Sequence, residues 1–343
     1  KLNLHAGPLK LRGVVEVDIQ SVDLDYLNGK MTAHTLFVTN EKGEFAVDSI
    51  TIAASTTSEK SALVLESPFL DATLNGKYKL SQLPTALSNT ISKYYNWNPT
   101  SKKGKATNNY FDFKLNLKDN PVVTQLIPDL KSLAPILITG RYNAENDSIV
   151  LNGAIPKLIY GDNTLTNAVF TVDTQDKALV YNLIVDDIQN TQIQLPYTSI
   201  SGKVQNNTVE YALQLKDLKD KERYFIAGTM NAANGNSEIN LDSEKLMLNY
   251  ESWNISPENL IRFGKKGIYA SDFELKKEEN SIKIQSQSEK PNAPIVVDLK
   301  NFEIETITSM VEKSDLKMSG KINGTALLKN VDKNLLFTSD LLI

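Results

Sequence analysis

Apolar and polar residues alternate at period two in one stretch of this chain after another, a periodicity that suits β-strands and not helices. Several of these stretches close on the same leucine-rich glycine signature: LKLRG at 9–13, ILITG at 136–140 and LKMSG at 316–320. Each makes a ribbon that is apolar on one side and wet on the other. What covers the apolar side decides what such a chain does.

The ribbons supply the candidate lining. One parity collects Val15, Val17 and Ile19, then Leu63 and Leu65, then Phe111, Phe113 and Leu115. Further along it collects Leu179, Tyr181 and Leu183, then Leu246, Leu248 and Tyr250. The last sets are Ile282 and Ile284, then Ile295, Val297 and Leu299, then Leu316 and Met318. Residues between them are mostly Lys, Asp, Glu, Asn, Gln or Thr, so one face is solvated, as in antiparallel sheets. Turns are expected at NGK (28–30), NEKGE (40–44), AENDS (144–148), YGDN (160–163), QNN (205–207) and AANGNS (232–237).

Three stretches read as helices. Residues 81–95 begin on Ser81, carry Pro84 early and set Leu83, Leu87, Ile91 and Tyr94 on one stripe. Residues 119–133 start with Asp119, Asn120 and Pro121, and Pro128 must kink or split them. The third is 301–313. The second and third each stand between a strand and a glycine strand, which suggests a repeating module partitioned as 1–118, 119–298 and 299–343 on one continuous scaffold. A strand cut short at TSDLLI and a start without Met read as an internal piece of a longer protein.

Composition narrows the function classes. With 37 Lys plus Arg against 41 Asp plus Glu, the net charge of −4 offers no field for nucleic acid, and none is expected as a partner. Cysteine is absent, which excludes disulfides and thiolate chemistry. His5 and His34 are the only histidines, and His34 shares a strand register with Leu36 and Val38. There is no nucleophile elbow, phosphate loop or dinucleotide fingerprint. The carboxylate pairs Asp186–Asp187 and Glu278–Glu279 point to opposite faces of a strand and read as solvated charge. No catalytic residue, metal ligand or cofactor is expected, and the chain does not read as an enzyme. Trp253 reads as a core anchor. Sequons occur at Asn146, Asn206, Asn254 and Asn323, and Asp-Ser-Ile acceptor-like triplets at 48–50 and 147–149.

Three segments taken in order, 62–95, 252–275 and 297–328, resemble the TamB family of translocation and assembly module proteins in the form found in Bacteroidota. The resemblance implies a mainly β fold, a long curled antiparallel sheet forming a taco-like trough with a few short amphipathic helices. It further implies a periplasmic piece of a protein anchored in the inner membrane, carrying phospholipid acyl chains between the inner and outer membranes. A second implied role is outer-membrane protein assembly beside a TamA-type barrel partner. On periodicity alone, two half-apolar sheets pressed into a sandwich would satisfy the same pattern.

Overall fold

The computed structural model describes residues 9–96, 109–191, 193–233, 236–264, 267–290, 292–308, 319–331 and 334–342. The protein is mainly β, 69% strand and 9% helix, with antiparallel pairing and few short helices. Among the described residues no helix is long and apolar enough to cross a membrane.

The chain divides into two compact units, residues 1–92 with 102–186 and residues 93–101 with 187–343. The join expected at 118/119 falls just past the strand Tyr110–Leu117, and the one expected at 298/299 falls inside the strand Ile295–Glu303.

The first unit is a meander. Its strands are β1 (Lys10–Ser21), β2 (Asn28–Asn40), β3 (Gly43–Thr56), β4 (Ser61–Glu66), β5 (Leu70–Lys77), β6 (Tyr110–Leu117), β7 (Leu130–Leu133), β8 (Ile136–Asn143), β9 (Ser148–Tyr160) and β10 (Asn163–Gln175). Each pairs antiparallel with the next, except that β6 pairs directly with β8 and β7 lies on β9. Strand β11 (Ala178–Gln189) spans the boundary between the units.

The second unit continues with β12 (Gln194–Gln205), β13 (Thr208–Lys216), β14 (Glu222–Ala233) and β15 (Asn236–Leu248), again a meander. Here β15 branches. Its first residues pair with β17 (Leu260–Gly264), and its last pair with β16 (Glu251–Ile255). From β17 the ladder reaches β18 (Gly267–Ser271). From β16 it runs through β19 (Phe273–Lys277), β20 (Asn280–Ser286), β21 (Ile295–Glu303) and β22 (Lys321–Lys329) to β23 (Leu336–Leu342). Asn259, fully buried, holds the branch open: its side-chain carbonyl accepts from the Leu241 N–H (2.7 Å), and its amide donates to the Leu241 and Ser256 carbonyls (2.8 and 2.7 Å).

Each α-helix among the described residues is an excursion between two strands that pair with one another. Helix α1 (Leu83–Tyr94) lies between β5 and β6, α2 (Pro121–Leu126) between β6 and β8, and α3 (Glu305–Thr308) between β21 and β22. The Asn120 side chain caps α2 by accepting from the Val122 N–H at 2.9 Å, and Pro121 opens the first turn.

Four expectations are corrected. The helix expected over 119–133 ends at Leu126, and the residues after Pro128 form β7 instead. The helix expected from 301 begins only at Glu305, because the alternation of Ile295, Val297 and Leu299 carries β21 to Glu303; residues 309–313 lie outside the described set. Asn28, Gly29 and Lys30 open β2 instead of turning, and the connection before them is a 3-10 turn at Leu24–Tyr26 capped by Asp23. On α1 Tyr94 is buried and Leu83 and Leu87 pack in the cluster as expected, but Ala86 and Thr90 complete the buried stripe and Ile91 is half exposed.

Candidate functional site: an apolar strip between two helical flanks

Residues directly opposite one another in an antiparallel ladder share a face, so the register of the first unit can be read across its strands. One row runs Val17, Met31, Ile52, Leu65, Ala72, Leu115, Ile138, Gly153, Phe170 across nine strands. The next, two residues along, runs Ile19, Gly29, Ala54, Leu63, Leu74, Phe113, Gly140, Leu151, Val172. Between them on the opposite face lie Asp18, Lys30, Ala53, Val64, Thr73, Lys114, Thr139, Asn152 and Thr171. One face is therefore a continuous apolar surface and the other is mostly polar.

The helices divide this apolar face. Helix α1, with the residues before it, packs Leu80, Leu83, Ala86 and Leu87 against Leu74, Tyr78, Phe111, Phe113, Tyr142 and Ile149. The Thr90 and Tyr142 hydroxyls share a hydrogen bond of 2.9 Å beneath it. At the other end of the strands, α2 sets Val122 and Leu126 against Leu36, Val38, Val47 and Ile50. Val123 packs with Leu130, Leu133, Leu117 and Leu158. Most of the fully buried apolar side chains of this unit sit in these three clusters, one under α1 and two around α2.

The row between them belongs to none of these clusters. Met31, Ile52, Leu65, Leu115 and Ile138 are half-buried, and Val17 at the β1 end is exposed. Along β6 the sequence is plain: Leu117 is taken by α2, Phe113 and Phe111 by α1, and Leu115 by neither. At about 4.8 Å per strand, the strip reaches about 40 Å along the sheet.

Two aromatic rings lie over glycines on this face. A Cβ at Gly140 would fall 2.6 Å from Phe113 Cζ, and one at Gly153 would overlap the Phe170 ring. These glycines let rings lie flat across a neighbouring strand. The three signature glycines therefore have different settings: Gly140 lies under Phe113, Gly13 faces Leu36 at the β1–β2 irregularity, and Gly320 precedes β22 in a left-handed conformation.

Flank residues fix the ends of the strip. The Asp25 carboxylate accepts from the Ser81 N–H (2.9 Å) and Ser81 Oγ (2.8 Å), joining the turn after β1 to the one before α1. The backbone hydrogen bond from Ser81 lowers the Asp25 pKa from its ordinary value. Burial against α1 pushes the Tyr78 phenol up to about 12.

The sequence-derived lining falls as follows. Val15, Val17, Ile19, Leu63, Leu65, Phe111, Phe113 and Leu115 share the apolar face, with Phe111 buried under α1. Leu179, Tyr181 and Leu183 are half-buried on β11, and burial raises the Tyr181 pKa. In the second unit Leu246 is fully buried with Trp253, Ile255, Phe273 and Phe302, and Leu248, Ile282, Ile284 and Leu299 pack against them. Ile295 is buried and Val297 half-buried. Tyr250 is a correction: it lies past the end of β15 with φ 69°, and its hydroxyl donates to Asp217 Oδ2 at 2.9 Å beneath Lys221. Leu316 and Met318 lie outside the described residues. His34 meets Glu16 at 3.2 Å on the opposite face. The alternation did not mark Met31, Ile52 or Ile138, whose place in the row comes from cross-strand register. No protein-family model, curated protein or solved structure matches the chain.

Proposed function

We propose that the apolar strip of the first unit carries phospholipid acyl chains, as part of a periplasmic conduit between membranes of the kind the TamB resemblance implies. The observation that carries this reading is the row from Val17 to Phe170, apolar in every position and left between two helix-covered flanks.

The chemistry of the face favours an acyl chain over a peptide. Backbone N–H and C=O groups of the sheet are engaged in the ladder, so a polypeptide lying across the face would leave its own amides without partners. An acyl chain has none to satisfy. Each methylene removed from water contributes about 0.8 kcal/mol, and similar side chains at each strand let the chain slide without a deep minimum. A single leaflet's hydrocarbon is about 15 Å, half of the roughly 30 Å bilayer core, so the strip exceeds one chain length.

Native mass spectrometry of the purified protein tests the reading. Bound phospholipid, released on delipidation and recovered on incubation with vesicles, is the expected result; a protein that takes up no lipid from vesicles contradicts it.

One observation favours a second reading, a scaffold for outer-membrane protein assembly beside a TamA-type barrel. Leu336, Phe337 and Leu342 of β23 are more than half exposed, and among the described residues this strand pairs with β22, an arrangement that suits strand addition by an unfolded client. Backbone-directed crosslinks from β23 to a client strand, with no lipid on the strip, are the outcome that would select it.

A further inference from the structure

The uncovered strip is not of one width. On β3 and β4 two successive rows stand free of the helix clusters, Ile52 with Ala54 and Leu65 with Leu63. On β9 the same two rows are Gly153 and Leu151, again free. Between these places lies β6, which α1 precedes and α2 follows, so that each helix takes a residue of it. Phe113 belongs to the α1 cluster and Leu117 to an α2 cluster, and Leu115 is left half-buried between them. On β5 Leu74 is likewise taken by α1, leaving Ala72. On β8 the Phe113 ring lies over Gly140 and carries the same wall one strand further, leaving Ile138.

The width of this waist follows from the strand rise. Phe113 and Leu117 are four residues apart, about 13 Å along the strand, and their own side chains occupy part of that length. Touching apolar groups hold their heavy atoms about 4.0–4.5 Å apart, so one hydrocarbon chain between two walls spans about 8–9 Å and two abreast about 12–13 Å. Only one chain fits. We infer that the waist around Leu115 admits a single unbranched hydrocarbon chain, so that lipids are discriminated there by chain thickness and a phospholipid lays one chain on the strip at a time.

This inference rests on the carriage of acyl chains proposed above and adds a specificity to it. The side chains of Ala72, Leu115 and Ile138 hold no donor or acceptor, so none of them reads a headgroup. A methyl branch, in contrast, thickens the chain along its length. Forcing it between filled walls is unfavourable for the reason that overpacking a core is.

Photocrosslinking at two positions tests the waist. A diazirine side chain close to leucine in size replaces Leu115, in the waist, or Leu65, where two rows are free. Each protein is mixed with vesicles of palmitoyl-oleoyl phosphatidylcholine, which is unbranched, or of methyl-branched diphytanoyl phosphatidylcholine. The ratio of adducts at 115 to adducts at 65 cancels differences in delivery from the two membranes. It is expected to be higher for the unbranched lipid by about fivefold or more. Lysophosphatidylcholine, with one chain, is expected to label 115 as the unbranched phospholipid does. Phe113→Leu, which replaces the ring wall with a narrower side chain, is expected to bring the two ratios within about twofold, with circular dichroism identifying folded protein. Equal ratios for the two phospholipids, failure of lysophosphatidylcholine to label 115, or an unchanged difference in folded Phe113→Leu overturns the waist while leaving carriage intact. No adduct at either position with any of the lipids overturns both.

Discussion

Phe113 lies across Gly140 of the neighbouring strand, so close that a single added methyl carbon would meet the ring Cε1 and Cζ atoms and the Val150 carbonyl. The ring is shared: its far side belongs to the cluster under α1, and its position sets where the covered part of the apolar face ends. Gly140→Ala is therefore expected to displace Phe113 and to cost about 1–3 kcal/mol, read from the urea midpoint. A midpoint equal to wild type would show that the glycine is there for another reason.

Core and strip respond differently to truncation. Leu133 is 2% exposed in the cluster with Val123, and Leu133→Ala is expected to cost about 2–5 kcal/mol. Leu65 is half-buried in the uncovered row, and Leu65→Ala is expected to cost less than about 1.5 kcal/mol. Chemical denaturation of the two variants side by side makes the comparison; equal losses would mean that the strip is packed as a core.

Asn259 is the test of the branch in the second unit. Replacing it with alanine leaves the Leu241 N–H and carbonyl without their side-chain partners, at an expected cost of about 2 kcal/mol or more. Hydrogen exchange at Leu241 is expected to speed up most, and unchanged protection there would argue against the clamp.

Two groups on the α1 flank give opposite pH signatures. The Asp25 pKa is lowered in the folded state, so its contribution is full above the ordinary value of 3.8 and disappears as pH falls through the folded value. Asp25→Asn is expected to be less stable than wild type at neutral pH, with the gap closing in acid. The Tyr78 pKa is raised from 10.0 to about 12, so its contribution is full below pH 10 and is lost as pH rises toward 12. Tyr78→Phe is expected to lack that alkaline loss. Denaturant midpoints across pH measure both, and parallel profiles for variant and wild type would contradict them.

The fold was largely legible because alternation is a local signal. Val17, Leu65 and Leu115, chosen by parity within their own strands, turn out to stand in one row. Parity alone says which residues of one strand share a face; cross-strand register decides which residues become neighbours, and that is a property of turns and irregularities. Hence Met31, Ile52 and Ile138 could not be assigned to the lining from their own strands, nor could the burial of Phe111 by a helix from another part of the chain. The helix at 119–133 was misjudged in extent because proline ended it and a short strand used the remaining leucines. Tyr250 fit the alternation of the preceding strand, yet the chain had already turned, and a carboxylate outcompeted the apolar face for its hydroxyl.

The most direct test compares two adjacent residues of β6. A photoactivatable side chain at Leu115 points to the strip, and one at Lys114 to the opposite face. With the protein exposed to phospholipid vesicles, lipid adducts are expected at position 115 and at its row neighbours 52 and 138, and none at 114. Equal labelling at 114 and 115, or none at 115, would contradict it.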